Sequence, residues 1–169
     1  MTTTSLTIQH TVVESKRSFE EVTRALEEQL GTADERLYDI GRQLIAANAS
    51  WEEVTQAVEA YVGTSGFIIF GKTDHNVILA LARKRGRAYQ YVIGNPLLAV
   101  QMTQYQPEVA LYAPTRLAVY EDHEKRTFVA YDSFTLQLAQ YEHEEIMRMA
   151  QFVEKKLEAL VAQAVGTSS

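Results

Sequence analysis

The feature that most constrains this chain is a series of short apolar runs between residues 66 and 131, each closed off by glycine or by a polar turn. Phe67-Ile68-Ile69-Phe70 sits between Gly66 and Gly71 and reads as a buried strand. Tyr89, Tyr91 and Ile93 alternate with Gln90 and Val92 up to Gly94, which is strand periodicity again. Residues 116–120 and 127–131 flank the polar turn Asp122-His123-Glu124-Lys125, so the spacing predicts an antiparallel hairpin. Helix signals interleave with these strands. Asp74 stands at a cap position ahead of Val77, Ile78 and Leu81, with a stop around Gly86. Asn95-Pro96 opens a second helix carrying Leu97, Leu98, Val100 and Met102 and ending before Pro107, because Asn caps well and Pro is tolerated at the first helical position.

The first third is more helical. Leu6, Ile8, Val12 and Val13 alternate enough for a first strand or extended arm. Ser18 and Glu21 then fit a capping box, followed by Val22, Leu26 and Leu30 at helical spacing and by Gly31. The same pattern returns 32 positions later from Ser50 to Gly63, with eight of fourteen positions identical. A local duplication and convergence on one capping solution both account for it, and a single repeated pair falls short of a repeat architecture. Leu37, Ile40, Leu44 and Ile45 predict a helix between the two. A long amphipathic helix over 142–164 closes the chain, with Ile146, Met149, Val153, Leu157 and Leu160 on one face.

A length of 169 residues suits one domain, and 46% apolar with 22% charged residues is ordinary globular composition. The net charge of −6 argues against a protein that coats nucleic acid through its overall charge. The lack of cysteine excludes disulfides, thiolate nucleophiles, iron–sulfur clusters and cysteine-ligated zinc. Residues 1–5 do not resemble a secretory signal, and no apolar stretch approaches the ~20 residues that span a bilayer. A cytoplasmic protein without membrane contact is the expectation.

Several of these residues together are similar to a known family. Gly66-Phe67, Asp74-His75, Gly94-Asn95-Pro96 with Met102, the 111–114 segment, Val119-Tyr120-Glu121 and Tyr131-Asp132 resemble, in order and spacing, domain of unknown function 302. The likeness is best over 66–141. It implies an α+β fold, a two-layer α/β sandwich whose mostly antiparallel sheet of about four to five strands is packed by helices, and commonly a homodimer. Against that family, 32–62 looks like a helical insertion. Tyr112 and Phe134 stand where members often carry an acidic residue and a proline. The family lends no activity and no cofactor.

Candidate chemistry is sparse. His75 beside Asp74 offers a general base or metal ligand at a strand end, although Asp74 is better placed to cap the following helix. Asn95 lies at a helix start suited to an anion, with Arg116 as a second contact and Tyr112 and Tyr131 as further pocket residues. Residues 83–87 hold four cations followed by Tyr89 and Tyr91, a pattern compatible with single-stranded nucleic acid but equally with a solvated helix end beside a packed strand. The four histidines show no metal-ligand spacing. The sequence therefore favours a small-ligand-binding or homodimeric module without recognisable catalysis, taking a small anionic or aromatic ligand near His75, Asn95 and Arg116. An enzyme using His75 and a nucleic-acid binder using the 83–87 loop are the alternatives.

Overall fold

Each predicted strand finds its partners in one sheet. The computed structural model describes residues 3–84 and 86–167. Strands β1 (His10–Ser15), β2 (Gly31–Thr32), β3 (Ile68–Asp74), β4 (Arg87–Gly94), β5 (Thr115–Glu121) and β6 (Thr127–Asp132) form a six-stranded sheet in the order β1-β6-β5-β4-β3-β2. All neighbours are antiparallel except β2 and β3. The fold is α+β. Its strand count exceeds the expected four to five through β2, a two-residue strand hidden by Gly31, which the sequence presents as a helix stop. The first strand begins at His10, so Leu6 and Ile8 precede it.

Alternation along β5 decides which face is covered. Thr115, Leu117 and Val119 are buried, while Arg116 is exposed and Ala118 and Tyr120 are half-buried. The buried face carries Tyr91 and Ile93 from β4 and Val129 and Tyr131 from β6, and it packs on α1 (Phe19–Glu27) and α7 (Glu144–Val165). Helix α7 covers this face because Ile146, Met149, Val153, Leu157 and Leu160 recur at three- and four-residue intervals, and all are buried. Gly166 ends it in the left-handed region, at φ 82°.

The other face is only partly covered. Helices α2 (Glu35–Ala46) and α3 (Trp51–Glu59) meet it near β3, where Leu37, Val58 and Ile68 form a small second core. The short α4 (Asn76–Leu81) stands beside the Ala88 end of β4. Two glycines make the β2 edge possible. Gly31 and Gly63 both donate their N–H to the Phe67 carbonyl, at 2.9 and 3.0 Å. A Cβ on Gly31 would lie 1.7 Å from the Tyr61 carbonyl oxygen, and one on Gly63 would lie 2.4 Å from the Gly31 nitrogen. The last residues of the two similar helical segments thus press together at one sheet edge.

Candidate ligand pocket

An apolar recess lies where β3 begins and β4 ends. Helix α5 (Pro96–Thr103) and α6 (Phe134–Leu138) border it, and it encloses about 220 Å³ between Phe67, Phe70, Leu98, Met102, Pro114 and Phe134. Local sequence builds each wall. Asn95 caps α5 through its Oδ1, which accepts from Leu97 N at 2.9 Å, while its Nδ2 donates to the Gly66 carbonyl at 3.0 Å. Ser133 caps α6 by accepting from Leu136 N at 3.2 Å and so turns Phe134 into the recess. Gly94 lets the floor pack closely, since a Cβ there would lie 3.0 Å from the Pro114 side chain, a tight contact. The Ala113-Pro114 bond is cis.

The lining is almost wholly apolar, and Asn95 spends its amide on the backbone. The recess is therefore suited to a hydrocarbon or aromatic group and offers no counter-ion to a buried anion. In volume it exceeds the ~150 Å³ of an apolar cavity that holds benzene and falls below the roughly 300 Å³ of drug-sized sites.

The residues expected to share one site are distributed over four places. Asn95 borders the recess. His75 does not: Ile68 lies opposite Gly94 and Asp74 opposite Tyr89, so the two ends are separated by five residues of β4, roughly 17 Å of strand. There His75 flanks an open depression with Ile78, Leu79, Ala88 and Gln90. Asp74 accepts from Asn76 N at 2.8 Å, so its carboxylate takes up the first N–H of α4 from one position before the N-cap, which is His75.

Arg116 lies on the open sheet face and borders a small polar hollow with Tyr112, Asp132 and Gln137 that holds only about 30 Å³, room for little more than water. Tyr112 accepts from Gln140 Nε2 at 2.9 Å. Tyr131 is buried on the opposite face, where desolvation, with the Glu158 charge nearby, raises its phenol above the ordinary value. Arg116 and Tyr131 cannot share a pocket, because Tyr131 pairs with Leu117 and adjacent strand residues point to opposite sides.

The basic loop is also divided. Arg85 lies outside the described residues. Arg87 pairs with Glu20 and Glu121 and lies over the Phe19 ring at 4.2 Å, so it belongs to the packing of α1. Tyr89 and Tyr91 face the core rather than the loop. Tyr91 is fully buried and donates to Glu27 Oε1 at 2.6 Å, and burial followed by that bond drives its phenol far above its usual range. These rings offer no stacking platform for bases.

Sequence reasoning missed most of the recess. Phe70 and Leu98 lie outside the family motifs, and although Phe67, Gly94-Asn95-Pro96, Met102, Pro114 and Phe134 stand at positions compared with the family, nothing in the sequence says that they meet. It also passed over His10, whose Nδ1 lies 2.7 Å from Asp132 Oδ1 across β1 and β6. Among the described residues, no group of three or more histidine, aspartate or glutamate side chains is arranged to hold a metal.

A family model described as Domain of unknown function DUF302 matches residues 44–164, well over half the chain. The chain belongs to the DUF302 family. That match takes in α3 and most of α7, beyond the motifs read from the sequence. Among solved structures, a crystal structure of an uncharacterized conserved DUF302 protein from Bacillus stearothermophilus superposes with a TM-score of 0.63 at 16% identity, covering 92% of this chain and 97% of that one. This similarity concerns the fold alone. No curated protein matches the chain. Among the described residues, no helix is long and apolar enough to cross a membrane.

Proposed function

We propose that this DUF302 protein is a small-ligand-binding module, acting as a homodimer in the cytoplasm, whose ligand places a single aromatic ring or a short branched hydrocarbon group in the Phe67–Phe134 recess. One observation carries the reading: a pocket of about 220 Å³ walled by Phe67, Phe70, Leu98, Met102, Pro114 and Phe134, with a nearly unbroken apolar lining. Of the two ligand chemistries the sequence left open, anionic and aromatic, this lining favours the aromatic.

The test uses indole and benzene as probes, read by amide chemical shifts and by thermal unfolding. Saturating probe should shift the amides of Gly94, Leu98 and Met102 and raise the melting temperature, since a ligand at a hundred times its Kd stabilises by about 2.7 kcal/mol. Ala99→Phe, which fills the recess from α5, should abolish both responses. Shifts confined to other surfaces, or a response unchanged in the filled variant, would remove the reading.

A further inference from the structure

The sheet has one face without a full covering layer, and that face is complementary to itself. Its side chains stand in three cross-strand rows. Phe128 and Tyr120 neighbour one another in the first, with ring centroids 5.3 Å apart, and the exposed Glu14 of β1 closes that row beyond Phe128. Val12, Ala130 and Ala118 follow in the second. In the third, His10 lies opposite Asp132, and Arg116 occupies the adjoining position on β5. The middle row is low because it is built on alanine, so it forms a trough between an aromatic ridge and a charged ridge.

The charged ridge is unfinished. Arg116 is exposed, and among the described residues it has no carboxylate within salt-bridge distance. Asp132, at the neighbouring position, leans to His10 on the other side. Apolar exposure continues past the trough. Val12 on β1 is 46% exposed, and on α4 Val77, Ile78 and Leu81 are 57%, 67% and 76% exposed. Helix α4 buries none of its residues. A largely apolar patch with a charged rim is the anatomy of an association surface rather than of a solvated sheet.

We infer that a second copy of this chain docks here, about a two-fold axis running along the strands between β5 and β6. Such an axis turns the two sheets face to face with aligned strands, a favoured arrangement for packed sheets. It keeps each row opposite itself while exchanging β5 with β6. Tyr120 of one copy then meets Phe128 of the other, and Ala118 meets Ala130. Arg116 meets Asp132 twice, once on each side of the axis. The same operation carries Val12 of each copy toward β4 of the other, beside the depression formed by Ile78, Leu79, Ala88 and Gln90. Two-fold interfaces require such self-complementarity, and here opposite charges and equal side-chain heights fall opposite each other together.

This inference rests on the homodimeric part of the proposed function and is independent of the apolar recess. Sedimentation velocity over a wide concentration range decides it. The unmodified chain should sediment as a dimer. Arg116→Asp and Asp132→Arg, taken singly, each place two like-charge pairs across the axis and should weaken the dimer roughly a hundredfold or more. The double exchange R116D/D132R should restore it. Where circular dichroism shows a single variant unfolded, Ala118→Lys on the trough floor replaces it and should give a folded monomer. A monomeric unmodified chain overturns both this interface and the homodimer. A dimer that survives the single reversals or Ala118→Lys, or a double exchange that stays monomeric, overturns the interface alone.

Discussion

The two segments that share eight of fourteen residues, Ser18 to Gly31 and Ser50 to Gly63, form the same local structure in different surroundings. Both have complete capping boxes. Glu21 accepts from Ser18 N at 2.8 Å and Glu53 from Ser50 N at 2.7 Å, and in each box the serine oxygen accepts from the glutamate N–H at 3.3 Å. Past the caps they diverge. Phe19 is 1% exposed against the main core, whereas its counterpart Trp51 is 57% exposed on the opposite side of the sheet. Helix α1 packs under the central strands, while α3 covers only the β3 edge and shares an open groove with α2. Identical caps set where the helices start. What each helix is worth to the fold depends on what it packs against.

The strongest way to break the comparison is at its shared end. Gly31→Ala and Gly63→Ala both drive a Cβ into backbone at an impossible distance, so each should cost more than about 4 kcal/mol in urea unfolding or prevent folding. A milder loss at either would mean that the edge can open. Next come the paired aromatics. Phe19→Ala should cost about 3–5 kcal/mol by cavity formation, whereas Trp51→Ala should cost under about 1 kcal/mol. Equal losses in thermal or chemical denaturation would show that α3 is as deeply anchored as α1.

The caps should behave alike. Ser18→Ala and Ser50→Ala are each expected to cost about 1 kcal/mol, differing only by how strongly each helix is coupled to global unfolding.

The smallest effect is the titration of the boxes. Hydrogen bonds from Ser18 and Ser50, chiefly from their backbone N–H groups, hold the Glu21 and Glu53 carboxyls below their ordinary value of 4.5. A carboxyl depressed in the folded state stabilises above its unfolded value, and that contribution fades as pH falls through the folded value. Carbon-detected titration should therefore show both carboxyls protonating below 4.5. A Glu53 that titrates at its ordinary value would mean that the second box is frayed in solution.

The longer strand runs, the helix starts at Ser18, Ser50 and Asn95 and the long final helix were legible, because alternation, capping chemistry and helical spacing are properties of near neighbours, whereas β2 and α6 were not. Asn95 performs the capping role read for it, while Asp74 bonds the first N–H of α4 from one position before the N-cap, His75. The proposed grouping of His75 with Asn95 was not recoverable, because both flank strand ends and only register reveals that the ends are opposite. Arg116 and Tyr131 were likewise separated by the pleat, whose phase depends on which face the helices cover.

The sequence by itself determined most of the elements and their order, since these follow from backbone conformation and local hydrogen bonds, though not β2 or α6. Tertiary structure alone decided that Gly31 and Gly63 meet at one carbonyl, that six phenylalanine, leucine, methionine and proline side chains from distant parts of the chain close a recess, and that one sheet face stays open. Those outcomes depend on contacts between residues far apart in the chain, where burial and close packing select among arrangements that local preference leaves equal.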